Sequence, residues 1–174
     1  MNGIVISSSL NQNSKSLILA RRAAARWRKH DWTSTLVDLA EWELPLCDGG
    51  SCYEDPNVIA LRAIVAQADA IVVASPIYNF DLNAAAKNFL ELTGDGWKEK
   101  PVGFLCAAGG RASYMSPMSF ANSLMLDYRC VINPRFIYAT GKTFDNDTIA
   151  DPEILARIDD LVAFLTRIAV AIHG

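Results

Sequence analysis

The chain has 174 residues, of which 51 % are hydrophobic and 20 % charged, with a formal net charge of −3. That length suits one domain with a single buried core, and that composition excludes a disordered chain. The mild acidity demands no basic face and argues against nucleic acid as a partner.

Gly3–Ser7 (GIVIS) predicts a first strand, followed by the polar, turn-rich loop Ser7–Ser16. Leu17–Arg28 places Leu17, Leu19, Ala20, Ala23, Ala24 and Trp27 on one helical face, with Ser14 or Ser16 as N-cap. Arg21, Arg22, Arg26, Arg28 and Lys29 cluster at helical spacing and read as the solvated face of that helix. Thr33–Leu39 predicts the second strand, ending at Asp38. Residues 40–53 are irregular, broken by Pro45 and Gly49-Gly50. Asp55-Pro56 opens a helix that runs to about Gln67, cap first and proline in the first turn.

Asp69–Ala74 is a short apolar, β-branched run, the mark of a strand buried on both faces of a parallel sheet. Proline has no N–H to give a ladder, so this strand is expected to stop at Ser75-Pro76. Asn83 caps a helix over Ala84–Thr93, ended by Gly94. Pro101–Ala107 predicts the fourth strand. A helix follows from Ser113 or Ser116 to Asp127. Cys130–Ala139 holds a fifth strand interrupted by Pro134. Asp151-Pro152 caps a last helix running through Ile168.

Five strands alternate with five helices, which predicts an α/β fold with a parallel sheet covered on both faces. Right-handed crossovers leave few topologies, and the expected fold is a flavodoxin-like three-layer sandwich. Its five-stranded parallel sheet is expected in the order 2-1-3-4-5. No linker, repeat or low-complexity stretch divides the chain, so residues 1–174 are expected to form one domain. Neither a secretory signal nor a charge-free stretch of membrane-spanning length is visible, so no membrane is expected and the expected address is the cytoplasm.

Four cysteines are present, Cys47, Cys52, Cys106 and Cys130. None forms a C-x-x-C pair, and only His30 and His173 could join them, so no metal site is expected. Cys106 and Cys130 sit in apolar runs and read as core. Cys47 and Cys52 flank Gly49-Gly50 in a loop, which leaves a redox pair open beside two plain loop cysteines.

In such a sheet the loops after strands one, three and four meet at the carboxyl edge, where open α/β folds place ligands. In the first loop, serine hydroxyls, Lys15 and the helix N-terminus favour a bound phosphate; the alternative is an ordinary polar loop with a serine cap. Tyr78 and the amides of Ile77 and Asn79 offer an aromatic wall and edge hydrogen bonds for a flat ring; the alternative is a strand-end turn. Gly109-Gly110 lets backbone approach a ligand closely; the alternative is a plain turn. There is no G-x-G-x-x-G, so no Rossmann dinucleotide site is signalled.

Ser8–Ser14, the element Ser75-Pro76-Ile77-Tyr78-Asn79 with Lys87-Asn88 downstream, and Gly109-Gly110 together resemble the NAD(P)H-dependent FMN reductases of the flavodoxin-like superfamily. Azoreductase, chromate reductase and quinone reductase relatives belong to the same group. The resemblance implies FMN as cofactor and NADPH or NADH as co-substrate. It implies that Ser9, Ser14 and Ser16, with Lys15, hold the FMN phosphate. Asn11 stands where the family has an arginine in that loop. Pro76, Ile77, Tyr78 and Asn79 would border the isoalloxazine, with Gly109 and Gly110 along its other edge. It further implies a small-molecule electron acceptor (free flavin, quinone, azo compound or metal oxyanion) and a homodimer or homotetramer. No catalytic side chain is named, since the flavin carries the chemistry. The alternative is a flavin-binding electron-transfer or regulatory protein without direct NAD(P)H turnover.

Overall fold

The computed structural model describes residues 1–28 and 32–174. Lys29 of the basic helix face and His30 of the possible metal ligands lie outside the described residues.

The sheet is built from β1 (Asn2–Ser7), β2 (Thr33–Asp38), β3 (Ala70–Tyr78), β4 (Asp81–Leu82), β5 (Pro101–Ala108), β6 (Val131–Ile132) and β7 (Ile137–Thr140). The helices are α1 (Lys15–Arg28), α2 (Pro56–Ala66), α3 (Ala84–Thr93), α4 (Met118–Tyr128) and α5 (Pro152–His173). β2, β1, β3 and β5 lie side by side and parallel, and β6 and β7 both pair with the outer edge of β5. The three-layer fold is the expected one, but the sheet differs slightly from the expected five parallel strands: it has seven, the fifth being split in two around Asn133-Pro134 and β4 adding an antiparallel pairing to β3. A small hairpin of β8 (Phe144–Asp145) and β9 (Thr148–Ile149) stands apart from the sheet.

Alternation along each strand divides the core into two layers. Ile4, Ile6, Ile71, Val73, Val102 and Phe104 face α2, α3 and α4 and pack on Leu61, Val65, Phe89, Leu90, Phe120 and Leu124. Val5, Ala70, Val72, Ala74 and Leu105 face α1 and α5 and pack on Leu19, Ala23, Trp27, Ile158, Val162 and Leu165. Helices therefore cover both faces, as a parallel sheet requires. Where α1 crosses β1 the approach is very close: a Cβ at Gly3 would stand 2.3 Å from the Trp27 ring.

The structure corrects three expectations. β3 does not stop at Ser75-Pro76 but continues to Tyr78, with Ser75 opposite Cys106 and Pro76 opposite Ala107 on β5. The Ala74 carbonyl accepts from Ser8 N–H (2.9 Å), so Ala74 turns its polar groups toward β1. Pro76, two residues on, faces the same side, beyond the last β1 residue paired with β3, Ser7. No ladder bond is lost there, and proline is tolerated as it is on a sheet edge. β3 then turns through Asn79 and Phe80, both at positive φ (51° and 63°), and pairs antiparallel with β4. Positive φ at both central residues of a two-residue hairpin is the twist-matched turn of such hairpins. Second, the helix expected from Ser113 or Ser116 begins at Met118, after turns that include a Ser116 Oγ–Ser113 carbonyl bond of 2.7 Å. Third, the basic face of α1 is not wholly solvated: Arg22 and Arg26 reach Asp159 of α5 at 2.6 and 3.5 Å.

Candidate active site

Ser8 and Ser9 leave the end of β1 buried, and Leu10–Asn13 arch outward. Short side-chain bonds hold the arch: Asn11 N–H donates to Ser9 Oγ (3.2 Å) and Asn13 N–H to Asn11 Oδ1 (3.0 Å). Small polar side chains that bond backbone two residues away fix such turns. Ser14 Oγ accepts from Ser16 N–H (3.2 Å) and meets Ser16 Oγ at 2.7 Å, so Ser14 caps α1. The first N–H groups of any helix lack intrahelical acceptors, and those of Ser14 and Lys15 have none among the described residues. The α1 terminus thus presents free donors and its positive dipole end outward.

The arch is tied to the end of β3 by Asn83. Its Oδ1 accepts from Ser8 Oγ (2.7 Å) and Ser75 Oγ (3.1 Å), and its Nδ2 donates to the Ser8 carbonyl (2.7 Å). Asn83 occupies the N-cap position of α3, yet its side chain makes no capping bond. The sequence gives it as a cap; the structure gives it as the buried clamp between two loops.

Ser9, Asn11, Ser14 and Lys15 from the first loop, Pro76 and Tyr78 from β3, and Gly109 after β5 line one cleft of about 310 Å³. Asn79 lines a neighbouring cleft of about 720 Å³ that shares Tyr78. Ser16 lies buried behind Ser14, Ile77 turns into the core, and Gly110 uses its carbonyl to accept from Tyr138 O–H at 2.6 Å. None of these three lines the cleft.

A third wall was not foreseen. Thr140 ends β7 and Gly141 and Phe144 follow it, closing the cleft on the far side of β5 from β3. The signal was their place after a strand's carboxyl end, which the broken fifth strand concealed. Lys15 Nζ donates to the Asn146 carbonyl and lies 5.5 Å from the Phe144 ring centre, so its head group is committed to this wall.

The lining suits a phosphorylated flat ligand. Open helix donors and hydroxyls stand beside Pro76, Tyr78, Ala107 and Phe144, which are apolar or aromatic. Gly109 and Gly110 do not have positive φ, and a Cβ on either would meet nothing within 4 Å. The chain's own packing therefore does not require these glycines, and the space before them is free for a ligand. Lys15 is the one charged residue among the described residues lining the cleft, which offers no carboxylate, imidazole or thiol. Such a lining can bind and orient a ligand.

A doubly wound sheet with a polar-to-aromatic cleft at its carboxyl edge defines a nucleotide- or flavin-binding α/β protein. Comparison with known sequences narrows the class. A profile for "NADPH-dependent FMN reductase" matches residues 1–141. An FMN-dependent NADPH-azoreductase of Staphylococcus saprophyticus is 31 % identical, covering 95 % of this chain and 95 % of that protein. An FMN-dependent NADH:quinone oxidoreductase of Bordetella petrii is 31 % identical over 92 % of this chain and 94 % of the other. Among solved structures, apo NADH:FMN oxidoreductase shares the fold with a TM-score of 0.77 at 15 % identity, over 94 % of this chain and 87 % of that one. The chain belongs to the NADPH-dependent FMN reductase family. It is an NAD(P)H-dependent, FMN-linked oxidoreductase.

Proposed function

We propose that the cleft between the serine arch and the Gly109 turn is the FMN site. The N–H groups of Ser14 and Lys15 and the hydroxyls of Ser9 and Ser14 would hold the phosphate, with Asn11 at the rim and Ser16 behind Ser14. Pro76 and Tyr78 would flank the ring, with Ile77 and Asn79 continuing that edge and Gly109 and Gly110 along the other. When bound, FMN supplies the hydride acceptance from NAD(P)H and the onward electron transfer. The chain's part is to anchor and to orient. Asn83 locks the arch to β3, so the phosphate donors and the ring wall keep a fixed separation. A further pocket of about 260 Å³, lined by Arg111, Lys142 and Thr143, adjoins the cleft at Thr140 and offers cations for the dinucleotide phosphates.

The observation that carries this reading is the convergence of three loops on one cleft with open helix donors at one end and an aromatic wall at the other. The acceptor is a small molecule of quinone or azo type, in keeping with the names of the relatives. The whole chain, residues 1–174, is taken to act as one domain. A homodimer or homotetramer is favoured by exposed Tyr78 at the site, and a cytoplasmic address by four free thiols. Among the described residues no helix is long and apolar enough to cross a membrane.

Flavin titration tests the site. Flavin-free protein is expected to quench FMN fluorescence and to bind riboflavin, which lacks the phosphate, roughly 100-fold more weakly, the worth of two charge-assisted hydrogen bonds. Equal affinity for the two would remove the phosphate from the α1 terminus. Binding of neither would remove FMN from this cleft.

A further inference from the structure

The segment 45–53 takes no part in the FMN cleft, yet it is held in a defined shape. Asn88 on α3 grips it, its Nδ2 donating to the Pro45 carbonyl and its Oδ1 accepting from Cys47 N–H, both at 2.9 Å. Asp48 then builds a turn. Its Oδ1 accepts from Gly50 N–H (2.8 Å) and Cys52 N–H (3.2 Å), and its Oδ2 accepts from Ser51 Oγ (3.0 Å). Gly49, at φ +71°, reverses the chain where a side chain would be strained. The turn carries Cys52 back toward Cys47, which packs against the small apolar cluster that Cys52 forms with Val58 and Leu92.

Their surroundings differ. Cys52 is 4 % exposed and packs with Val58 and Leu92. Burial, then the neighbouring Asp48 carboxylate, keeps its proton on and pushes its pKa up. Cys47 is half-buried and lines the cleft of about 720 Å³ shared by Tyr78 and Asn79, which gives a small oxidant a way in. The Tyr53 hydroxyl lies 3.4 Å from Cys47 Sγ. Its hydrogen bond, followed by that of the Gly49 N–H, favours the thiolate and holds Cys47 below the ordinary thiol range. One accessible sulfur disposed to ionise, with a protonated thiol beside it, is the arrangement of an attacking and a resolving cysteine.

We propose that Cys47 and Cys52 form a hydroperoxide-reactive dithiol, with Cys47 as nucleophile, Tyr53 as its hydrogen-bond donor and Cys52 as the resolving thiol. The Cys47 thiolate attacks one oxygen of a hydroperoxide. An S–O bond forms, the O–O bond breaks, and the departing oxygen takes a proton and leaves as alcohol or water. Cys47 is then a sulfenic acid, and the peroxide has been reduced by two electrons. The Cys52 sulfur attacks that sulfur. The S–S bond forms, the S–O bond breaks, and the hydroxyl leaves with the Cys52 proton as water. The sum is dithiol and hydroperoxide giving disulfide, alcohol and water.

The remaining cysteines are internal controls. Cys106 is 1 % exposed and Cys130 6 %, and burial pushes their thiols up to about 12 and about 11. Both are expected to stay reduced under mild oxidation.

The test treats the whole protein with hydrogen peroxide in small excess, alkylates the remaining thiols, and maps the peptides by mass. The expected result is an intact mass lower by two hydrogens before alkylation and, after alkylation in denaturant, a disulfide linking Cys47 to Cys52 with Cys106 and Cys130 alkylated. In Cys52→Ser, dimedone is expected to tag a sulfenic acid at Cys47. In Tyr53→Phe, alkylation of Cys47 is expected to need higher pH, and peroxide oxidation at neutral pH to slow by roughly 3- to 10-fold, one hydrogen bond's worth. Four alkylated thiols after peroxide, or Cys47 passing to a sulfinic acid while Cys52 stays free, would overturn the proposal. The unsubstituted protein alone decides this, whatever the variants do. The readout is thiol chemistry, so its failure leaves the FMN assignment standing, and a protein that binds no flavin leaves the dithiol standing.

Discussion

Asn83 shows how one side chain ties two loops together. Its three buried hydrogen bonds join Ser8 and Ser75; truncation strands the Ser8 carbonyl away from water and leaves the Ser8 and Ser75 hydroxyls to the Ala74 and Pro76 carbonyls alone. Asn83→Ala is expected to cost about 1–3 kcal/mol by this count, read from the urea midpoint at unchanged slope. Asn11 is a different case, since its exposed side chain does little for stability beyond one turn bond. Asn11→Arg places a guanidinium fork at the rim of the arch, and FMN is expected to bind roughly 10-fold more tightly at low salt, with the gain shrinking as salt rises. A variant that leaves FMN affinity unchanged would place the phosphate elsewhere. Gly3 illustrates close packing. Its missing Cβ leaves room for Trp27, and Gly3→Ala is expected to cost about 2 kcal/mol or more through overpacking.

At the scale of elements, the long parallel strands were legible because burial on both faces turns them into continuous apolar runs. β1 and β5 follow from GIVIS and PVGFLCA almost residue for residue, and β3 starts with AIVVA but runs on through Tyr78. The caps Asp55 and Asp151 were legible too, and each accepts from two first-turn N–H groups as its residue type demands. What escaped was decided by neighbours distant in sequence. Pro76 continues a strand because β1 has ended beside it, which no local pattern records. β4, β6, β8 and β9 are two-residue pairings, too short to carry a period. The third cleft wall was lost with them. Phe80 sits at φ 63° in the β3–β4 turn and is 69 % exposed, so it bears strain without compensating burial. Phe80→Gly is expected to stabilise the protein by about 0.5–1 kcal/mol, the relief of the left-handed strain less the entropy of glycine. An unchanged or lower thermal midpoint would mean that Phe80 packs against something in solution.

A buried cation at the junction of two elements gives a pH signature. Lys100 Nζ donates to the Val65 and Ala66 carbonyls at the end of α2, at 2.6 and 2.8 Å. Burial pushes its pKa down to about 8 from 10.5. Below pH 8 the folded and unfolded chains both hold this proton. Between about 8 and 10.5 only the unfolded chain does, so this group makes the folded state gain stability as pH rises through that window. Cys106 and Cys130 act in the opposite sense, because their raised values let the unfolded chain lose protons first. Subtracting the stability curve of Lys100→Met isolates the lysine. The difference between wild type and variant is expected to grow in favour of wild type from pH 8 to 10, and a flat difference would contradict the buried-ammonium account.

Across the whole molecule, the order β2-β1-β3-β5 brings the ends of β1, β3 and β5 to one rim, and right-handed crossovers send α1 and α5 to one face and α2, α3 and α4 to the other. The sequence carried this placement through its alternation of strand and helix, and it carried the site through the serine, Ser-Pro-Ile-Tyr-Asn and Gly-Gly turns. It did not carry the clamp of Asn83 or the commitment of Lys15 to the Asn146 carbonyl, since both depend on contacts across the fold.

The most direct measurement is an amide NMR titration of the flavin-free protein with FMN. The amides of residues 9–16, 77–79 and 107–110 are expected to shift together and to saturate at one FMN per chain, with Ser14 and Lys15 moving most. Shifts confined to the pocket of Asn133, Arg135 and Arg167, or none in the α1 terminus, would contradict the account.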